Sequence, residues 1–536
     1  MDRAELSSAI IQEMQAVVAE ALEAVVPEML TADMATLEQR AQQVGRVILG
    51  QLIERVGAGH TQLLPRPARC AACGGTLKRR ERPRPLVGLV GDYALHRDYY
   101  WCAACQQGVA PLDAACQQGV APLDAALGLG PGTVSPGLLR VVARATVETT
   151  FAPAVEQVQD ALGVSLSDET ARRLAEQLGA VAEAQTQAAI PRAQQGQPVW
   201  TAAEVQSTQD TTTLAVEVDG VLVHQEAGWQ EMKVVTLAPL GPDLHTDPVS
   251  GRTTLTWGAA SYGVGTAEAE TFWWRVYVEA LRRGLGTPAV RTVVVLGDGA
   301  RWIWERVRAF LSLPGVEVVE IVDIYHAYSY LWAVGTALYG AGTVRAAAWV
   351  EPLKDDLYAQ GAAPGLAALA TLAALATLTP TTEEAASAIA DTQTYFTRNA
   401  VRMDYPRFVA RHFPIGSGAV ESSCKSLVEA RLKQAGMRWS VPGSQAMASL
   451  RALHRSGRWA AFWQAHPYRQ PAVGAACPAP RMAAPAPPSP PAVRASPAAS
   501  TGSPRVCAAA HPAPSRAAPR PKPTPSQRPL LLPRSA

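Results

Sequence analysis

Four stretches of this 536-residue chain set acidic side chains where they suit metal-dependent chemistry. TTTLAVEVDGVLV (211–223) runs β-favouring residues into Asp219-Gly220, and VVVLGDGARWIW (293–304) ends a similar run on Asp298 between glycines. VEVVEIVDIYHA (316–327) adds Asp323 and His326, and IGSGAVESSCKSLVEARLKQAGMRWS (415–440) places Glu421 on a helical pattern. Phosphodiester transfer uses divalent ions to activate the attacking oxygen and neutralise the leaving one. Magnesium takes oxygen ligands, typically one or two carboxylates with water and phosphate. Two carboxylates about 4 Å apart repel by about 4 kcal/mol at an effective dielectric near 20, so such a cluster holds a cation or a proton at neutral pH. The glycines beside Asp219 and Asp298 are expected to leave room for backbone and phosphate. Taken singly, an Asp-Gly pair is a turn, a strand-end acid caps a helix, and Glu421 with Lys425 is a solvated face. Their order and context together point to Asp219, Asp298 and Glu421 as ligands of catalytic Mg2+ or Mn2+. Lys425, Arg431, Lys433 and Arg438 follow as a basic surface suited to DNA backbone, with Trp439 beside them.

A second metal signal comes from cysteine spacing. Cys70-Ala-Ala-Cys73 and Cys102-Ala-Ala-Cys105 are two knuckles separated by β-like text, LVGLVGDYALHRDYYW, as in a zinc ribbon. The segment AACQQGVAPLD occurs at 103–113 and again at 114–124, so Cys116 rivals Cys105 as a ligand. Cys424, Cys477 and Cys507 have no partners at ligand spacing.

The elements that must position these groups read as α/β. Residues 1–60 form a helical segment, 61–130 a zinc-ribbon-like module, and 131–190 a helical module. Within the last, FAPAVEQVQDALGVSLSDETARRLAEQLG (151–179) reads as a helix-turn-helix with Thr170, Arg172 and Arg173 exposed on the second helix. Residues 198–326 alternate strands and helices: three antiparallel strands, the third in TTLTWGAASYG (253–263), then a helix, then strands each followed by a helix. That is the order of a ribonuclease-H-like mixed-sheet core, with acids on the first strand, after the fourth, and on a later helix. Residues 327–414 are helical, and 415–469 carry the glutamate helix and further helices. Residues 470–536 are Pro/Ala/Arg-rich without periodicity and are expected to be disordered. The tail holds eight basic residues and no acid from Pro471 on, which leaves the rest of the chain at −6 although the whole is +2. Any nucleic-acid contact must therefore come from local patches. The first residues read as an amphipathic helix rather than an export signal, and no run suits a membrane span, so a cytoplasmic setting is expected.

With these residues in place, the chain resembles the ISKra-type insertion-sequence transposases, DDE enzymes of bacterial mobile elements. The resemblance spans about 60–465 and is carried by DGVLVHQEAGWQEMKV (219–234), VVVLGDGARWIW, IVDIYHAYSYLW (321–332), IGSGAVESSCKSLVEARLKQAGMRWS and LRALHRSGRWAAFW (450–463). It implies cleavage and transfer of double-stranded DNA at element ends, with Asp219, Asp298 and Glu421 matching the metal-binding triad. DIYH matches the Asp-x-x-His signature that related transposases place between their second acid and their glutamate; Asp323 and His326 themselves read either as a packed, hydrogen-bonded pair at the sheet edge or as a contact with DNA near the cleaved phosphate. An all-helical insertion in the core and a homo-oligomeric synaptic complex are also implied. The 103–124 duplication and the tail depart from the family pattern. A junction resolvase is the smaller-format rival, and a non-catalytic transposase-derived DNA-binding protein is the rival from another class.

Overall fold

Two antiparallel helices open the chain, α1 (Arg3–Met29) and α2 (Met34–Leu63). Asp2 and Asp33 cap them by accepting backbone N–H groups of the first turn. The computed structural model describes residues 2–70, 73–104, 121–130, 132–206, 212–248, 251–376 and 382–465. All belong to one unit, Met1–Cys477; the second unit, Pro478–Ala536, and the whole of the expected tail, 470–536, lie outside the described residues. Four short strands follow the hairpin: β1 (Leu77–Glu81), β2 (Arg84–Gly88), β3 (Gly91–Leu95) and β4 (Asp98–Cys102), paired antiparallel as β1–β4 and β2–β3. Helix α3 (Pro122–Ala126) closes this module, with Leu123 packed beside Leu86 and Leu95 and Asp124 buried between Arg84 and Arg97. Ala103 and Ala104 belong to the first copy of the duplication and Ala121–Asp124 to the second. Residues 105–120, with Cys105 and Cys116, lie outside the described residues.

Helices α4 (Pro136–Glu148), α5 (Phe151–Leu162) and α6 (Asp168–Gln194) come next. The expected helical hairpin is present: α5 stops at Gly163, and the Ser167 hydroxyl accepts the Thr170 N–H at 3.1 Å to start α6. The second helix is not a short reading helix, however. It runs 27 residues and buries Leu174, Leu178 and Val181 in the core. Gly179 explains how it lies so close to helix α16 (Val441–Arg455): a Cβ there would sit 2.1 Å from the Ala446 carbonyl oxygen. Backbone against backbone has no side chain to swing away, so Gly179→Ala is expected to cost about 3 kcal/mol in denaturant unfolding. An unchanged midpoint would refute the close crossing.

The central sheet has six strands: β5 (Thr213–Gln225), β6 (Gly228–Thr246), β7 (Thr253–Trp257), β8 (Ser261–Gly265), β9 (Thr292–Gly297) and β10 (Glu317–Val322). The order is β10-β9-β5-β6-β7, with β8 also on β6; β9 and β10 run parallel to β5, and β6 antiparallel to it. The segment 253–263 was expected to give one strand and gives parts of two. Long β6 shifts register between Leu240 and Leu244, so its distal half takes β7 and Lys233–Leu237 take β8. The break falls at Gly258, whose N–H turns to the Pro239 carbonyl at 2.8 Å.

Helices cover both faces. Leu214, Val216 and Val218 of β5 point into a core with α7 (Ala269–Arg282), α8 (Arg301–Leu311) and α9 (Ile324–Tyr339). Helices α10 (Val344–Gln360), α11 (Ala363–Ala376), α12 (Glu383–Asn399) and α13 (Tyr405–Ala410) extend that side, and no strand occurs among the described residues of 327–414. Val221 and Val223, on the other face by alternation, pack under α14 (Gly418–Ser423), α15 (Ala430–Leu432) and α16. A π-helical turn, Cys424–Glu429, joins α14 to α15, and α17 (Trp459–Gln464) follows α16. No helix among the described residues is long and apolar enough to cross a membrane.

Candidate active site

The parallel register aligns three aspartates. Val218 pairs with Gly297, and Gly297 with Val322, so the next residue on each strand is Asp219, Asp298 and Asp323. Parallel neighbours are about 4.8 Å apart, so the three acids form a row across the sheet where β9 and β10 end. Glu421 reaches the same edge from α14, close enough that its charge, after burial and the Asp298 charge, helps push the Asp219 carboxyl above its ordinary range. The Gly220 N–H, 2.7 Å from Asp219 Oδ1, opposes that shift. Asp298 and Glu421 thus come within electrostatic reach of Asp219, at more than metal-ligand spacing.

Each acid is held differently. Asp298 accepts the Ala300 N–H at 2.9 Å, and its own carbonyl accepts the Tyr395 hydroxyl at 2.9 Å. Asp323 is buried and doubly engaged, by the Tyr325 N–H at 2.8 Å and the Ser417 hydroxyl at 2.6 Å. It therefore ties the start of α9 to the loop before Glu421, which is the packing role. His326 is half-buried against Tyr330 and Tyr395. Glu421 is exposed. The glycines do not provide the open clearance expected of them. Gly299 has φ +94, and a Cβ there would meet the Tyr395 ring at 2.5 Å; a Cβ at Gly220 would meet Glu231 at 2.3 Å.

Glu217 was missed by sequence reasoning. It lies two residues before Asp219 on the same face of β5, fully buried, and accepts the Val420 N–H at 2.8 Å at the start of α14. Its signal was a carboxylate inside the β-branched run AVEVDG. Burial pushes its carboxyl up to about 8, against the Val420 and Ala419 N–H groups that favour its charge. Between 4.5, its ordinary value, and about 8 the folded chain keeps a proton that the unfolded chain releases, so stability falls as pH rises through that window. Glu217→Gln retains an acceptor for Val420 and removes the titration. In chelator-treated protein, its stability relative to wild type is expected to rise by about 5 kcal/mol between the two ends of the window. A pH-independent difference would contradict this.

The basic residues divide. Lys425, Lys433 and Arg438 are exposed, Lys433 bonded to Glu429 and Arg438 to the Glu226 carbonyl. Arg431 and Trp439 correct the expectation of a DNA-facing surface. Arg431 is fully buried, donates to the Thr146 carbonyl at 2.9 Å, and lies over the Phe151 and Trp439 rings; burial lowers its pKa to about 10. Trp439 is buried and donates its indole N–H to the Leu432 carbonyl. On α6, Arg173 is exposed, whereas Arg172 is bound between Glu169 and Glu176.

One donor set stands at ligand spacing among the described residues. Cys70, Cys73 and Cys102 bring their sulfur atoms within 4.8 Å of one another, with Cys73 and Cys102 Sγ 3.4 Å apart, and could hold a metal ion. Three thiols suit zinc, and the fourth expected ligand, Cys105, lies outside the described residues. Among the described residues this is the one group of three or more His, Cys, Asp or Glu at such spacing. The carboxylates are hard oxygen donors of the kind magnesium takes, but Asp219, Asp298 and Glu421 stand wider than that. No protein-family model matches the chain, and no curated protein matches it.

Proposed function

We propose that this chain is a metal-dependent DNA-cleaving and strand-transferring enzyme of the DDE transposase kind, built on a ribonuclease-H-like core. The observation that carries the reading is the convergence of Asp219 on β5, Asp298 after β9 and Glu421 on α14 at one sheet edge. The strand order supports it too: an antiparallel β5-β6 pair with β7 and β8 beyond it, and two strands parallel to β5 on the other side. Asp219 and Asp298 would hold a divalent ion, with Glu421 drawn in from the solvent side. Such an ion, when bound, supplies Lewis-acid activation of the attacking oxygen and charge neutralisation at the leaving one. The chain's own residues set the frame. Tyr395 and Arg398 bind the carbonyls of Asp298 and Gly299 and so fix the loop that carries the second acid. Glu217 anchors the start of α14 to the strand that carries the first. Lys425, Lys433, Arg438 and Arg173 offer exposed charge for phosphate backbone. Cys70, Cys73 and Cys102 would hold structural zinc, and double-stranded DNA is the partner.

The test is incubation of the full chain with a labelled end of its own flanking element and Mg2+ or Mn2+. Metal-dependent strand cleavage supports the reading. The wide stance of the three acids favours one rival, a DNA-binding protein without catalysis, and salt-sensitive binding with no cleavage under either metal would select it.

A further inference from the structure

We infer that the N-terminal helical hairpin is a self-association surface that pairs with a second copy of this chain. Ten of the nineteen large apolar side chains exposed among the described residues lie on α1, α2 and their connection. Helix α1 meets α2 along Leu6, Ile10, Met14, Val17, Ala21 and Val25, spaced by three and four residues. Its second apolar seam, Ile11, Val18, Leu22 and Val26, is offset by one residue and has no covering element among the described residues. Helix α2 repeats the pattern. Arg55 and Gly59 face α1, where Arg55 pairs with Glu13 and a Cβ on Gly59 would touch Ile10. Glu54 and Gly57 face β3, by a bond to the Ala94 N–H and contact with Leu95. Leu49, Leu52, Val56 and Leu63 remain as an outward seam, again offset by one.

In an antiparallel pair, positions offset by one in the same sense from the contact seam fall on the same side of both helices. The two outward seams therefore form one continuous strip. A helix with two adjacent apolar seams belongs to a bundle of more than two helices, and two hairpins docked face to face make four. The strip's chemistry selects the occupant. Its seven exposed apolar members are 37–56% accessible and His60 is the exposed residue between Val56 and Leu63 in the same register, so the α2 seam holds no basic cluster for phosphate or an anionic lipid surface. They offer roughly 600 Å² of apolar surface per copy, most of the about 800 Å² that each partner contributes to a stable interface. An isologous contact matches the strip to itself without any complementary charge pattern.

The inference does not rest on the catalytic reading. Light scattering of the full chain during size exclusion is expected to give twice the chain mass, falling to one chain mass in the double variant Leu22→Glu/Leu52→Glu. Both positions are solvent-facing, so helix content and zinc content should match wild type and report intact folding. A wild-type chain that stays monomeric at every concentration, or a folded double variant that stays dimeric, overturns the proposal. Retention of a different protein by a monomeric wild type overturns it equally.

Discussion

Replacing Asp298 by asparagine is expected to lower metal-dependent strand cleavage by at least about a thousand-fold, the scale of losing a main electrostatic stabiliser. Binding to the same DNA at fixed salt should change little. Asparagine keeps an oxygen for the Ala300 N–H and the side chain's size, so the loop between β9 and α8 keeps its shape. What it removes is one negative charge from a row where Asp219 already feels its neighbours. Structural damage would lower binding and cleavage together, whereas loss of a metal ligand separates them. Cleavage by Asp298→Asn at anything near the wild-type rate would end the assignment of this edge as the reaction centre.

The second large effect concerns the cysteine module. Cys102→Ser is expected to abolish bound zinc and expose residues 61–130 to proteolysis while the sheet region stays resistant. The module is small and its own apolar core is thin, with Leu86, Leu95 and Leu123 as its buried members. Metal binding to a structural cysteine site is worth on the order of 10 kcal/mol, more than such a core supplies. Wild-type protein is expected to carry about one zinc ion per chain, measured by elemental analysis. A zinc-free wild type, or a Cys102→Ser variant that retains zinc, would remove the metal from the account. Comparing Cys105→Ser with Cys116→Ser then shows which copy of the duplicated segment completes the ligand set.

Much of the sheet edge was legible because its determinants are local. The runs before Asp298 and Asp323 are β-branched and short and stop at the acid, whereas Asp219 lies midway along β5 and is marked by the Gly220 beside it. Glu421 needed only a helical pattern behind Gly-Ser-Gly. Other features had no local signal. Arg431 looks like any surface arginine, but Thr146 and Phe151, almost three hundred positions earlier, take it inside. The split of 253–263 into two strands depends on a register shift in β6, not on its own residues. Gly299 was read as space for a ligand when Tyr395, about a hundred residues later, fills it. Glu217 was passed over because an isolated acid in a strand has no partner in the sequence. Its partner, the start of α14, is supplied by topology.

The two copies of AACQQGVAPLD have a consequence of their own. The described contacts draw on opposite ends of the block: Ala104 from the first copy sits against Gly75 beside the sulfur cluster, and Leu123 and Asp124 from the second plug the far side of the module. Excision of 103–113 and excision of 114–124 yield the same polypeptide, and so does any eleven-residue deletion wholly inside the block. Contraction is therefore degenerate: many distinct events at the level of the gene converge on one shorter chain in which a single copy furnishes both ends. The shorter chain would carry one cysteine where this one carries Cys105 and Cys116, so contraction also removes the choice of fourth ligand.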